Sequence, residues 1–239
     1  RALPTLGDIV PPHMQAWAPP PSPIALFLLG LDERGADGVV EIGGRRLHLR
    51  RGRLVDISRG EGDLTLAAFM ERSGRIDAHV ASRLDQRPAR EGIAALPLPP
   101  ETRADAVRSL WLERLVQGMR QASVRGEPVP PLVPGPPSPS DGVDASLGVL
   151  VLDALQRSSE DDADEVGRHA GFTIEWREGT FLARAQRWAG LSPRADQRVT
   201  AVLQADPAGA GKIAALARAG LLRLVESTAG PAAPAPPPR

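Results

Sequence analysis

The chain has 239 residues with 29 basic and 29 acidic side chains, a formal net charge of zero and a pI near 7.1, a balance that argues against a dedicated nucleic-acid binder or an acidic tail. Cys and Asn are both absent, which excludes disulfides, thiolate metal sites, cysteine nucleophiles and N-glycosylation. With 42% hydrophobic residues but 25 Pro and 24 Gly, the length suits one large domain or two of about 100 residues with generous turns and linkers.

The chain starts at Arg1 without Met and ends in GPAAPAPPPR, so it reads as a piece of a longer protein. Its sole Lys is Lys212, beside 28 Arg; the excess of Arg and Ala reads as genomic base bias. Residues 1–23 form a Pro-rich lead-in, with PPHMQAWAPPPSP at Pro11–Pro23. The longest apolar run, Ile24 to Leu31, is eight residues and has no basic stretch before it. That is less than half a membrane span and unlike a signal peptide, so no membrane contact and a cytoplasmic location are expected.

Residues 24–127 are read as a first α+β domain. Ser22-Pro23 is a cap followed by a proline at the first helical position, opening a helix that would bury Ile24, Leu26, Phe27, Leu28 and Leu31 and end near Gly35. A glycine-punctuated antiparallel meander follows in GVVEIG (Gly38–Gly43), RRLHLRRG (Arg45–Gly52) and RLVDIS (Arg53–Ser58). Gly43-Gly44 and Arg51-Gly52 are tight-turn signals. Alternation puts Val40 with Ile42, Leu47 with Leu49, and Val55 with Ile57 on inward faces. Helical spacing returns at Leu64, Leu66, Phe69 and Met70, with Asp63 as cap and Ser73-Gly74 as stop. A short helix spans 77–86. A long one spans 101–120 on Val107, Leu110, Trp111, Leu115 and Met119.

PVPPLVPGPPSPS (Pro128–Ser140) reads as a stiff linker, because proline fixes φ and lacks the N–H that packing into secondary structure uses. Residues 141–226 are read as a mostly helical second domain with short strands. Asp144 would cap a helix carrying Leu147, Leu150, Val151, Ala154 and Leu155. Acidic residues at 160–165 open a short helix ending near Gly171, placing negative charge at its positive end. Phe172–Trp176 is a strand candidate. Ser192-Pro193 and Asp206-Pro207 are further helix starts, the latter helix turning Ile213, Leu216 and Ala217 inward before Gly220. Leu221–Glu226 is a final strand, and 227–239 is a Pro-rich exit.

No chemical motif is complete. Gly209-Ala210-Gly211-Lys212 lacks both the upstream Gly and the Ser or Thr of a phosphate loop, and follows a helix start, so it reads as helix. His13, His48, His79 and His169 lack paired metal spacing. His48 and His79 read as exposed, and the acidic cluster lacks the Gly and distal Glu of a calcium loop. A serine-hydrolase elbow is also absent. The one surface feature that stands out is basic. Arg46, His48 and Arg50 share the outer face of one strand, with Arg45, Arg51 and Arg53 nearby, and guanidinium forks suit carboxylates or phosphates. Arg46, His48, Arg50 and Arg53 are therefore the candidate partner-binding surface. Glu41 and Asp56 on adjacent strands are its candidate neutralisers.

GVVEIGGRRLHLRRGRLVDIS followed by DLTLAAFMERSGRIDAHVA resembles the PATAN (PatA amino-terminal) family of bacterial regulatory domains over about residues 22–120. The resemblance implies a non-catalytic α+β module used beside receiver, J-type chaperone or repeat domains. DPAGAGKIAALARAGLLRLVE resembles the region preceding a J-domain in myxobacterial multidomain proteins, although no His-Pro-Asp tripeptide is present. The expectation is therefore a regulatory, protein-interaction module of a signalling or J-domain chaperone-type protein, without enzymatic activity or cofactor. Its partner would be another protein or a neighbouring domain of the same chain. The alternative is a winged-helix-like DNA-binding regulator over 193–226, whose recognition helix carries only Lys212 and Arg218. An enzyme assembling Asp, Glu, Arg and His only in three dimensions is a third, weaker reading.

Overall fold

The structure, a computed structural model, describes residues 16–85, 98–135, 143–179, 181–191 and 197–226. The fold is α+β, with two antiparallel sheets of three and four strands packed with helices. Two compact units divide the chain: Ser22–Ser159 is one, and the other joins residues from Glu160 onward to the segment before Ser22, where strand β1 (Ala16–Trp17) lies.

In the unit Ser22–Ser159, the Ser22 hydroxyl accepts the Ala25 N–H at 3.3 Å and starts α1 (Pro23–Glu33). Ile24, Leu28 and Leu31 are buried at i, i+4 and i+7. Leu26 points away from that stripe, is 44% exposed, and so leaves the inward set expected for this helix; Phe27 is half-buried. The meander forms β2 (Gly38–Ile42), β3 (Arg45–Arg50) and β4 (Arg53–Ile57). Both turns carry positive φ at their two central residues, Gly43 (54°) with Gly44 (74°) and Arg51 (50°) with Gly52 (71°), the geometry whose twist matches two-residue hairpins. Val40, Ile42, Leu47, Leu49, Leu54 and Ile57 are at most 1% exposed. Leu54 joins that set because the register shifts after His48: Leu47 faces Ile57 while Leu49 faces Leu54, leaving Val55 as the extra residue of a bulge.

Helices α2 (Leu66–Arg72), α3 (Ala78–Asp85) and α4 (Pro100–Arg125) follow. Phe69, Met70, Ala106 and Leu110 form a satellite core with Leu64, Leu66, Ile76, Leu84 and Leu98 around it. The cap of α2 is Thr65, not Asp63, whose carboxylate is engaged elsewhere. Strand β5 (Ala145–Ser146) pairs with β4 and completes the order β2-β3-β4-β5. Ser146, rather than Asp144, caps α5 (Leu147–Arg157).

The boundary expected within Pro128–Ser140 lies instead at Ser159/Glu160. Helix α5 packs on α1 and α4, with Leu147, Val151 and Leu152 wholly buried, so residues after the proline run complete the first core. The described part of that run is not a free spacer: Val39 and Val133 exchange N–H···O bonds of 2.9 Å in both directions. Its remainder, the expected helix start at Ser192-Pro193, and most of both terminal Pro-rich segments lie outside the described residues.

The second unit contains α6 (Glu160–Arg168), β6 (Thr173–Trp176), α7 (Leu182–Ala189), α8 (Val199–Ala205), α9 (Gly209–Arg218) and β7 (Leu222–Val225). Its sheet runs β1-β7-β6, antiparallel throughout. Helix α9 is its hub, packing on α6, α7, α8 and β7. Ile213 through Ala217 are all buried there, and the three alanines among them allow neighbours close approach. Among the described residues, no helix is long and apolar enough to cross a membrane.

Candidate functional site

The outer face of the four-stranded sheet displays the expected basic residues unequally. On β3 the odd positions Arg45, Leu47 and Leu49 are buried, while Arg46 and Arg50 are exposed. Arg46 Nε lies 3.6 Å from the Glu41 carboxylate, both side chains being more than half exposed; such a pair contributes at most about 1 kcal/mol. Among the described residues Arg50 has no ion-pair partner. His48, expected at the surface, is half-buried between its cross-strand neighbours Val39 and Asp56, and its Nδ1 is enclosed without a hydrogen-bond partner. Arg53 sits at the rim, where its fork makes bonds of 2.8 and 2.9 Å to both oxygens of Asp144. The Arg53 hydrogen bond holds the Asp144 carboxyl below its ordinary pKa, and that same bond raises the guanidinium's. Of the four candidates, then, Arg50 is exposed and unpaired among the described residues, Arg46 is exposed with only a weak pair to Glu41, His48 is exposed only in part, and Arg53 is already engaged.

Arg45, expected near this patch, points the opposite way. It pairs across the turn with Ile42, a core residue, and residues directly opposite in a ladder share a face. Its guanidinium, 1% exposed, bonds both Asp63 oxygens at 2.8 and 2.5 Å, the Gly43 carbonyl at 2.8 Å and Gln121 Oε1 at 3.0 Å. Asp63 also accepts the Gly60 N–H at 2.8 Å. Burial pushes the Asp63 carboxyl up, but the hydrogen bonds from Arg45 and Gly60 and the charges of Arg45 and Arg114 outweigh it and leave its pKa lowered. Arg114, on α4, donates to the Ile57 and Leu64 carbonyls at 2.8 and 3.1 Å, and its burial lowers its own pKa. This network locks the β2–β3 turn, the loop after β4 and α4 together, so the sheet that bears Arg46 and Arg50 is held rigidly from behind. Period-two counting from Leu47 already places Arg45 inward; its charge masked that signal.

In the second unit, Gly209–Lys212 is the first turn of α9, as its position after Asp206-Pro207 implies. Lys212 Nζ lies 2.8 Å from Asp206 and 3.4 Å from the Ala189 carbonyl. Arg218 bonds Asp162. Both cations of the expected recognition helix are thus ion-paired. His169 donates from Nδ1 to the Glu165 carbonyl at 2.8 Å. Its ring stacks on Trp17 at 5.8 Å and meets the Phe172 edge at 4.6 Å, so it ties β1 to the α6–β6 loop. His79 is exposed on α3, and His13 lies outside the described residues. No group of three or more His, Asp or Glu able to hold a metal ion occurs among the described residues. Comparison with protein-family models, with curated proteins and with solved structures finds no match.

Proposed function

We propose that the chain is a regulatory, protein-interaction module of a larger bacterial signalling or J-domain chaperone-type protein, acting by binding rather than by catalysis in the cytoplasm. One observation carries the reading: Arg46 and Arg50 stand exposed on the open face of a sheet whose other face is fully packed, with Glu41 as a weak counter-ion. Four residues of strand separate them by about 13 Å, a span that suits carboxylates four residues apart on an extended acidic segment of the partner or of a neighbouring domain. The PATAN-like pattern at residues 22–120 agrees with such a role. The DNA-binding alternative draws less support, since Lys212 and Arg218 already serve Asp206 and Asp162, and phosphate contacts require several available cations.

The test uses poly-glutamate as probe, with binding read by fluorescence anisotropy at rising salt. The native chain is expected to bind it, with affinity falling as salt screens the charges. Arg46→Glu/Arg50→Glu should lose at least tenfold. Equal binding by the double variant would remove the reading. The same chain mixed with duplex DNA at low salt should give no electrophoretic shift.

A further inference from the structure

We propose that the free edge of β2 is a docking site for an extended peptide strand, occupied in this structure by the chain's own Pro-rich strap at 127–135. The strap satisfies the edge poorly. Val39 exchanges both backbone bonds with Val133, so its N–H and C=O point away from β3. By the period of two, those of Glu41 point the same way, while in the adjoining turn the Gly43 carbonyl is taken by Arg45 and only its N–H faces the strap. The Gly43 N–H is met by the Glu127 carboxylate at 3.1 Å, a side chain standing in for a strand. The Glu41 N–H has no acceptor among the described residues. Between Glu127 and Val133 the strap carries Pro128, Pro130 and Pro131, which have no N–H to offer the Glu41 carbonyl.

The strap is also lightly held. Val129 and Val133 are 45% and 56% exposed, so displacing them uncovers little apolar surface, and one pair of backbone bonds is all that must be exchanged. The backbone of the strap comes close at Gly38, where a Cβ would lie 2.7 Å from the Val133 carbonyl. The edge therefore admits a chain along its full length while its present occupant bonds only at the two ends. The ligand this geometry fits is an extended segment without proline opposite Val39 and Glu41, with a β-branched residue beside Val39. It would gain the bonds at Glu41 that the strap cannot make. Prolines in the strap keep the edge from pairing indiscriminately while leaving it exchangeable. The surface is distinct from the Arg46 and Arg50 face and does not depend on it.

Amide hydrogen exchange on the native chain is the first measurement. The Val39 N–H, bonded to the strap, should exchange at least tenfold faster than that of Val40, which points into the β2–β3 ladder. Protection of Val39 equal to that of Val40 would overturn the proposal, since the strap would then open only with the sheet. The second measurement uses a synthetic peptide of residues 127–135 with each proline replaced by Thr. Val133→Pro, which deletes the strap's N–H donor to Val39, should bind this peptide at least tenfold more tightly than the native chain, with amide shifts centred on Val39 and Glu41. Failure to bind, or shifts centred on Arg46 and Arg50 instead, would overturn it. Self-association of the Val133→Pro chain through Val39 without peptide would assign the edge to a second copy and overturn the peptide reading. Should Val133→Pro not fold, the native exchange comparison still decides.

Discussion

Arg45 and Asp63 show how a single buried pair can organise a loop-rich region. Five bonds converge on them from β3, the loop after β4 and α4, with side chains 1% and 6% exposed. Gly60 makes the room, since a Cβ there would lie 2.9 Å from the Arg45 guanidinium carbon. Asp63→Asn, which leaves a buried cation without its counter-charge, should cost about 3–5 kcal/mol at neutral pH, read as a lowered urea midpoint. The Asp63 carboxyl is depressed in the folded state. Its contribution is therefore complete above the unfolded-state carboxylate pKa and disappears as pH falls from there through the lower folded value. The gap between native and variant midpoints should accordingly close on acidification. A gap that persisted unchanged at low pH would mean the charge is not what the site needs. Such a pair was half legible: the parity of β3 puts Arg45 inside, whereas its partner lies 18 residues on, at a position that local pattern assigns to a helix cap. Asp144 resembles a cap in the same way, yet a carboxylate just before a helix is as ready to bind a distant Arg as to cap.

Among the elements, the β2–β3 hairpin separates two costs that sequence alone runs together. Gly43 and Gly44 both have positive φ, but a Cβ on Gly43 would lie 2.3 Å from the Gly118 carbonyl oxygen on α4, while one on Gly44 would meet nothing within 4 Å. Gly44→Ala should cost about 1–2 kcal/mol, the left-handed penalty alone. Gly43→Ala should add about 1–3 kcal/mol for the forced shift of α4. Equal thermal midpoints for the two variants would show that the turn and α4 are not in contact in solution. The Gly-Gly pair announced the turn, yet nothing local announced that α4 would pass against it. Caps behave likewise. Ser22 is readable because proline follows it, whereas Thr65 and Ser146 take the cap positions two residues beyond the acidic residues that resemble caps.

At the scale of the molecule, the division at Ser159 has a direct consequence. A fragment spanning 22–159 should unfold cooperatively in urea, whereas 24–127 should not. The shorter piece lacks β5 and α5, and with them Leu147, Val151 and Leu152, each 0% exposed. A cooperative transition in 24–127 would show that α5 is an accessory rather than part of that core. The α+β class, the three-stranded meander with its turns, and the long apolar stripe of α4 were all written in the chain, since each follows from periodicity and turn chemistry within about twenty neighbouring residues. The docking of the proline run on β2, the inward Arg45 with Asp63, the commitment of Arg53 to Asp144, and the return of β1 to pair with β7 were not. Each joins residues distant in the chain, and which backbone edges and buried charges come to face one another is settled only once the helices have packed against the sheets.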